Sequence, residues 1–203
     1  MEKNTIVVGA ALLLVGLGLG YVFGGNFVGS RAAGSHRMGD GSTMRQNIDQ
    51  HFIAQMIPHH EGAIAMAKIA LERSKRPEVL SLAQGIIEAQ ERENKDMRSW
   101  YKAWFGSVPS AGVSGIMGHE GMMHMDSMTG DTTELSVVTT SEFDREFLEQ
   151  MIPHHEMAIM MAQMLAAATE RTEMKQLADA IITSQSREIE MMRSWLVAWP
   201  KEE

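Results

Sequence analysis

Two six-residue stretches, Met56-Ile57-Pro58-His59-His60-Glu61 and Met151-Ile152-Pro153-His154-His155-Glu156, are identical and stand 95 positions apart. Each sets a thioether three and four residues ahead of two imidazoles, so on a helix a sulfur and a nitrogen donor share one face. Adjacent helical residues point about 100° apart, so one His of each pair faces a bundle axis and the other its flank. Thioether and neutral imidazole together suit soft and borderline ions, Cu(I) and Ag(I) for sulfur and Cu(II) for nitrogen. A lone histidine on a helix is usually a satisfied core or surface group. Repetition of both His, of the Met before them and of the Glu after them is what makes these ligand candidates.

The same offset carries a second pattern. Gln90, Glu93 and Met97 lie at steps of three and four, as do Gln185, Glu188 and Met192. Glu93 and Glu188 could hold a liganding imidazole through its second nitrogen, or ligate directly. The plainer alternative is a solvated helix charge paired with Arg92 or Arg187. A third pattern lies between the repeats, where Met117, Met122, Met123, Met125, Met128, His119 and His124 fall within a dozen residues. That segment has almost no Leu, Ile or Val and too many Gly for a buried helix, so core filling does not explain its Met. A thioether needs no deprotonation and forms no disulfide in an oxidising compartment, which points the segment to copper, and to silver by the same logic. The second repeat also presents Met157, Met160, Met161, Met164, Met191 and Met192, a Met-rich wall.

Composition narrows the classes further. The 203 residues include 19 Met and 8 His but no Cys, which removes iron–sulfur clusters, thiolate zinc sites, disulfide scaffolds and thiol catalysis. A net charge of -8, a pI near 5.5 and the lack of any basic run argue against nucleic acid as a partner. No nucleophile–base arrangement suggests hydrolysis.

These groups need elements to position them. Thr5 to Phe23 is an uncharged apolar run followed by the looser Gly24–Gly29 stretch, long enough to span a bilayer as a helix. Residues 1–30 therefore read as an uncleaved signal anchor with membrane contact through residues 5–28; a signal peptide cleaved after Ala32 is the alternative. Lys3 against Arg31, Arg37 and Arg45 would by itself favour a cytoplasmic C-terminus. Residues 31–43 form a tether. The first repeat, 44–105, predicts a helix over Met44–Ser74 and a second from Pro77 to Phe105-Gly106, with Pro58 causing a kink or a fresh helix start before the His pair. Residues 106–140 form a Met/His-rich linker too polar and Gly-rich for a fifth core element. The second repeat, 141–203, predicts Ser141 as N-cap, a helix to about Arg171 and another from Thr172 to Trp199, stopped by Pro200. Two hairpins that cannot bury their apolar faces alone should make an all-α four-helix bundle with an internal pseudo-two-fold. Pairing with a second copy, as a homo-oligomer, is left open.

The Asp49-x-x-Phe52 opening, MIPHH, and Gln90-x-x-Glu93-x-x-x-Met97-x-x-Trp100, each repeated, resemble the DUF305 family. This bacterial family of unknown-function domains is grouped with ferritin-like bundles and includes periplasmic copper-binding CopM-like proteins. The resemblance covers two tandem copies, roughly Asp49–Trp104 and Asp144–Trp199. It implies an extracytoplasmic, periplasmic or cell-surface, helical protein that binds copper or silver and supports copper tolerance. Residue by residue it points to Met56, His59, His60 and Met97, with Met151, His154, His155 and Met192. His51 departs from the repeat, its mate being Glu146, and the Met-rich linker lies outside the shared pattern. The favoured reading is a sequestering or delivery protein and not an enzyme. A ferritin-like di-iron or di-manganese oxidase would need Glu-x-x-His on two helices, whereas here the order is His-His-Glu. The remaining alternative is a structural or interaction module without metal.

Overall fold

The five helices among the described residues of the computed structural model follow from the punctuation of the chain. The structure describes residues 41–109, 132–139 and 142–199. They are α1 (Gly41–Arg73), α2 (Pro77–Phe105), α3 (Thr132–Val137), α4 (Phe143–Ala168) and α5 (Thr172–Ala198). Pro77 opens α2 after an extended Arg76, where its missing N–H costs nothing, and Gly106 closes it at φ 69, donating its N–H to the Lys102 carbonyl. Among the described residues no helix is long and apolar enough to cross a membrane. The N-terminal apolar run, the tether up to residue 40 and linker residues 110–131 lie outside them.

Both hairpins turn by the same device. Ser74 N–H donates to Ala70 O at 2.9 Å and Ser74 Oγ receives Arg76 N–H at 3.2 Å. In the second repeat Thr169 N–H donates to Leu165 O at 2.8 Å and Thr169 Oγ1 receives Arg171 N–H at 3.2 Å. A hydroxyl residue two positions before the N-cap residue of the new helix thus fastens each turn locally.

The hairpins meet chiefly across α1 and α4, head to tail. One end of the bundle packs the α1–α2 turn (Ala67, Ala70, Val79, Leu82) against the start of α4 (Phe143, Phe147, Met151) and Met192. The other packs the α4–α5 turn (Leu165, Met174, Leu177) against the start of the α1 core (Phe52, Ile53, Met56), Met97 and Tyr101. Crossed clamps tie the ends. Arg76 lies 4.4 Å over the Trp199 ring and 3.2 Å from Asp144, while Arg171 lies 4.2 Å over Trp104 and 3.1 Å from Asp49. Each arginine of one turn therefore closes the open end of the other hairpin, combining cation–π and ion-pair attraction. The predicted pseudo-two-fold is present in these contacts.

Four expectations change. Pro58 and Pro153 sit inside unbroken helices, so the fresh helix start, one of the two outcomes expected at Pro58, does not occur; a helix carries on past the one backbone bond that proline cannot make. The linker does contribute to the core: α3 sets Leu135, fully buried, into the first end, and Arg73 fastens it by donating to the Leu135 and Val138 carbonyls. Glu142, not Ser141, occupies the N-cap position of α4, and Thr139 Oγ1 donates to its carboxylate at 2.8 Å. The third long helix ends at Ala168, three residues short of Arg171, because Thr169 turns extended at ψ 147.

Candidate metal centre

His59 and His60 lie on α1, His154 and His155 on α4, and all four are buried between the two apolar ends. The rings of His59 and His154 meet across the pseudo-two-fold with centroids 3.7 Å apart and planes tilted by 39°. Helix rotation therefore turns the first His of each pair to the axis and the second to the flank. On the flank, His60 Nε2–H donates to Glu93 Oε2 at 2.7 Å, and His155 Nε2–H donates to Glu188 Oε2 at 2.6 Å. A carboxylate only accepts, so Nε2 carries the proton, and the neutral form of each flank imidazole is the tautomer whose Nδ1 lone pair is free. Nδ1 of His60 and Nδ1 of His155 are buried without a hydrogen-bond partner. Carboxylate-oriented imidazole with the other nitrogen open is the arrangement that metal-binding histidines use.

Burial holds the His59 imidazole far below its usual range, at about 2, with lesser contributions from His154, His60 and His155 and an opposing backbone contact from His154. His59 is thus a neutral nitrogen donor at any ordinary pH. Met56 and Met151 stand one turn before the His pairs, and Met97 and Met192 one turn beyond Glu93 and Glu188; all four are fully buried. Gln90, Gln185 and Asn94 add buried amides on the same turns, each with its oxygen unpartnered. Asn94 was not foreseeable from the repeat, because its mate is Ile189.

The carboxylates divide into two kinds. Glu93 and Glu188 pair with His and not with Arg92 or Arg187, whereas the Glu of each MIPHHE is exposed, Glu61 at 2.6 Å from Arg98 and Glu156 against Arg193. Among the described residues no three His, Asp or Glu side chains converge as one ready-made metal cage. The thioethers and imidazoles gathered on these turns are donor types that suit soft and borderline ions. The predicted linker residues Met117, His119, Met122, Met123, His124, Met125 and Met128 lie outside the described residues. The clamp residues Arg76 and Arg171 escaped the sequence reading, although their spacing of 95 matches that of Asp49 with Asp144 and Trp104 with Trp199.

Residues 49–196 match the family described as Domain of unknown function (DUF305). The chain belongs to the DUF305 family. The match is one span across both repeats and does not by itself divide the chain into the two tandem copies expected from the sequence. Among solved structures, the chain is similar to CopM in its Cu(II)-bound form, with 47% identity over 75% of this chain and 97% of CopM at a TM-score of 0.65. CopM in the Cu(I)-bound form gives 44% identity over 74% and 96% at a TM-score of 0.64, and CopM has also been solved with Ag and in the apo form. A DUF305 fragment from Deinococcus radiodurans is 28% identical over 75% of this chain and 97% of the fragment, at a TM-score of 0.62. A protein of Acanthamoeba polyphaga mimivirus is 47% identical over 53 residues, 26% of this chain and 35% of the viral protein. The match thus spans about a third of that relative's length.

Proposed function

We propose that this DUF305 protein is an extracytoplasmic copper-binding protein that sequesters or delivers the ion and supports copper tolerance, without catalysing a reaction. It takes Cu(I) preferentially, and Cu(II) and Ag(I) by the same donors. The observation that carries this reading is the doubled pair His60–Glu93 and His155–Glu188, each orienting an open Nδ1, around the neutral His59 with buried Met one turn away. Likeness to CopM, solved with Cu(II), Cu(I) and Ag, supports the choice of metal. The lack of Cys supports an oxidising compartment only in the sense that Met and His ligands remain competent there. Residues 5–28 would attach the body to the membrane, and the Met/His-rich linker would add capacity.

A carboxylate-bridged di-metal oxidase is disfavoured because Glu93 and Glu188 are committed to His, and Glu61 and Glu156 to surface arginines. The test is an anaerobic Cu(I) titration against a chromophoric chelator. The variant His59→Leu/His60→Asn/His154→Leu/His155→Asn should lose tight equivalents with its helicity unchanged, and a variant lacking 117–128 should keep those of the bundle. Unchanged stoichiometry in the four-His variant would sink the assignment and return a structural module to the front.

A further inference from the structure

The six methionines of the second-repeat wall do not behave alike. Met192 is buried like its mate Met97, and Met161 is half-buried with Met66 as its mate. The other four have no sulfur opposite them in the first repeat: Met157 aligns with Gly62, Met160 with Ala65, Met164 with Ile69 and Met191 with Asp96. Met160 is 48% exposed and Met164 60%, and Met157 is half-buried at the edge of the same stripe. The first repeat builds the same bundle with Gly, Ala and Ile at these positions, so packing does not demand thioethers there.

We propose that Met157, Met160 and Met164 form a surface site on α4 for a soft monovalent ion, Cu(I) or Ag(I). Met160 lies three residues after Met157 and four before Met164, so it neighbours both along the helix, with Cβ atoms about 5–6 Å apart at each step. Three rotatable bonds let each thioether swing inward, and three neutral sulfurs without a carboxylate among them select soft monovalent ions over harder ones. Met157 stands one turn beyond His154, so the site begins at the margin of the buried imidazoles. The inference rests on the soft-metal reading of the chain but does not need the buried centre.

The experiment is an Ag(I) titration of the full chain followed by 13C-methyl methionine NMR, which reports each residue separately and thereby sets the linker methionines apart. The methyl signals of Met157, Met160 and Met164 should shift together over a single equivalent. The variant Met157→Leu/Met160→Leu/Met164→Leu, conservative in volume and helix propensity, should bind one fewer Ag(I). Signals that stay in place through saturation, or a Leu variant with undiminished capacity, would overturn the proposal. The NMR arm needs no variant to fold. Co-shifting signals in a protein whose four-His variant keeps full capacity would uphold this site while the buried centre fails, so the two readings can be told apart.

Discussion

Opposite His155 and Glu188, hydrogen-bonded at 2.6 Å, the first repeat has His60 and Glu93 at 2.7 Å; opposite Met157, Met160 and Met164 it has Gly62, Ala65 and Ile69. The two halves keep the same His–Glu pairs where they face one another and differ at these three positions on the outer side of α4. Interior groups are coupled across the pseudo-two-fold: a change at His59 is felt at His154, 3.7 Å away, and a change at Arg171 at Asp49 and Trp104. Outward positions without such a partner can differ between the repeats, as Asp96 and Met191 do. The ends differ as well. The first receives Leu135 from α3 and has Phe143 where the second has Ile48.

The ends can be driven furthest apart at Leu135. It is fully buried and has no counterpart, so Leu135→Ala should cost about 2–5 kcal/mol in urea unfolding. Amide exchange should quicken around Phe143–Phe147 before it does around Phe52. A loss below about 1 kcal/mol would mean that α3 merely rests on the bundle.

Acid tests the shared centre. The folded His59 value, about 2, lies below the ordinary 6.5, so between them the unfolded chain binds the extra proton. Its contribution is intact above about 6.5 and is lost as pH falls toward 2, on the order of 1 kcal/mol per pH unit. Denaturation midpoints of the metal-free protein should fall from pH 6 to pH 4, and His59→Leu should flatten that limb. Equal slopes in both proteins would place the acid sensitivity elsewhere.

The smallest effect compares two surface pairs. Glu61–Arg98 and Glu156–Arg193 are about half exposed in both repeats, so double-mutant cycles should return under about 1 kcal/mol for each, alike in size and weaker in salt. A coupling several times larger in one pair would show that the repeats diverge on this face too.

Much of the bundle can be read along the chain. The 95-residue offset, the stripes at three and four, Pro77 at a helix start and Gly106 at a helix end are local signals, set by backbone sterics and by which side chains must be buried. The inventory of donor types is equally local, because 19 Met and 8 His without Cys are counted without any fold. Three features depended on the assembled fold. Which His of each pair meets the axis follows from the rotation of α1 and α4 about their own axes, which only packing decides. A six-residue helix such as α3 has too few backbone bonds to stand alone and exists because Arg73 and the first end receive it. The crossed Arg–Asp–Trp clamps required head-to-tail docking, which joins residues more than 60 positions apart and leaves no local pattern to read.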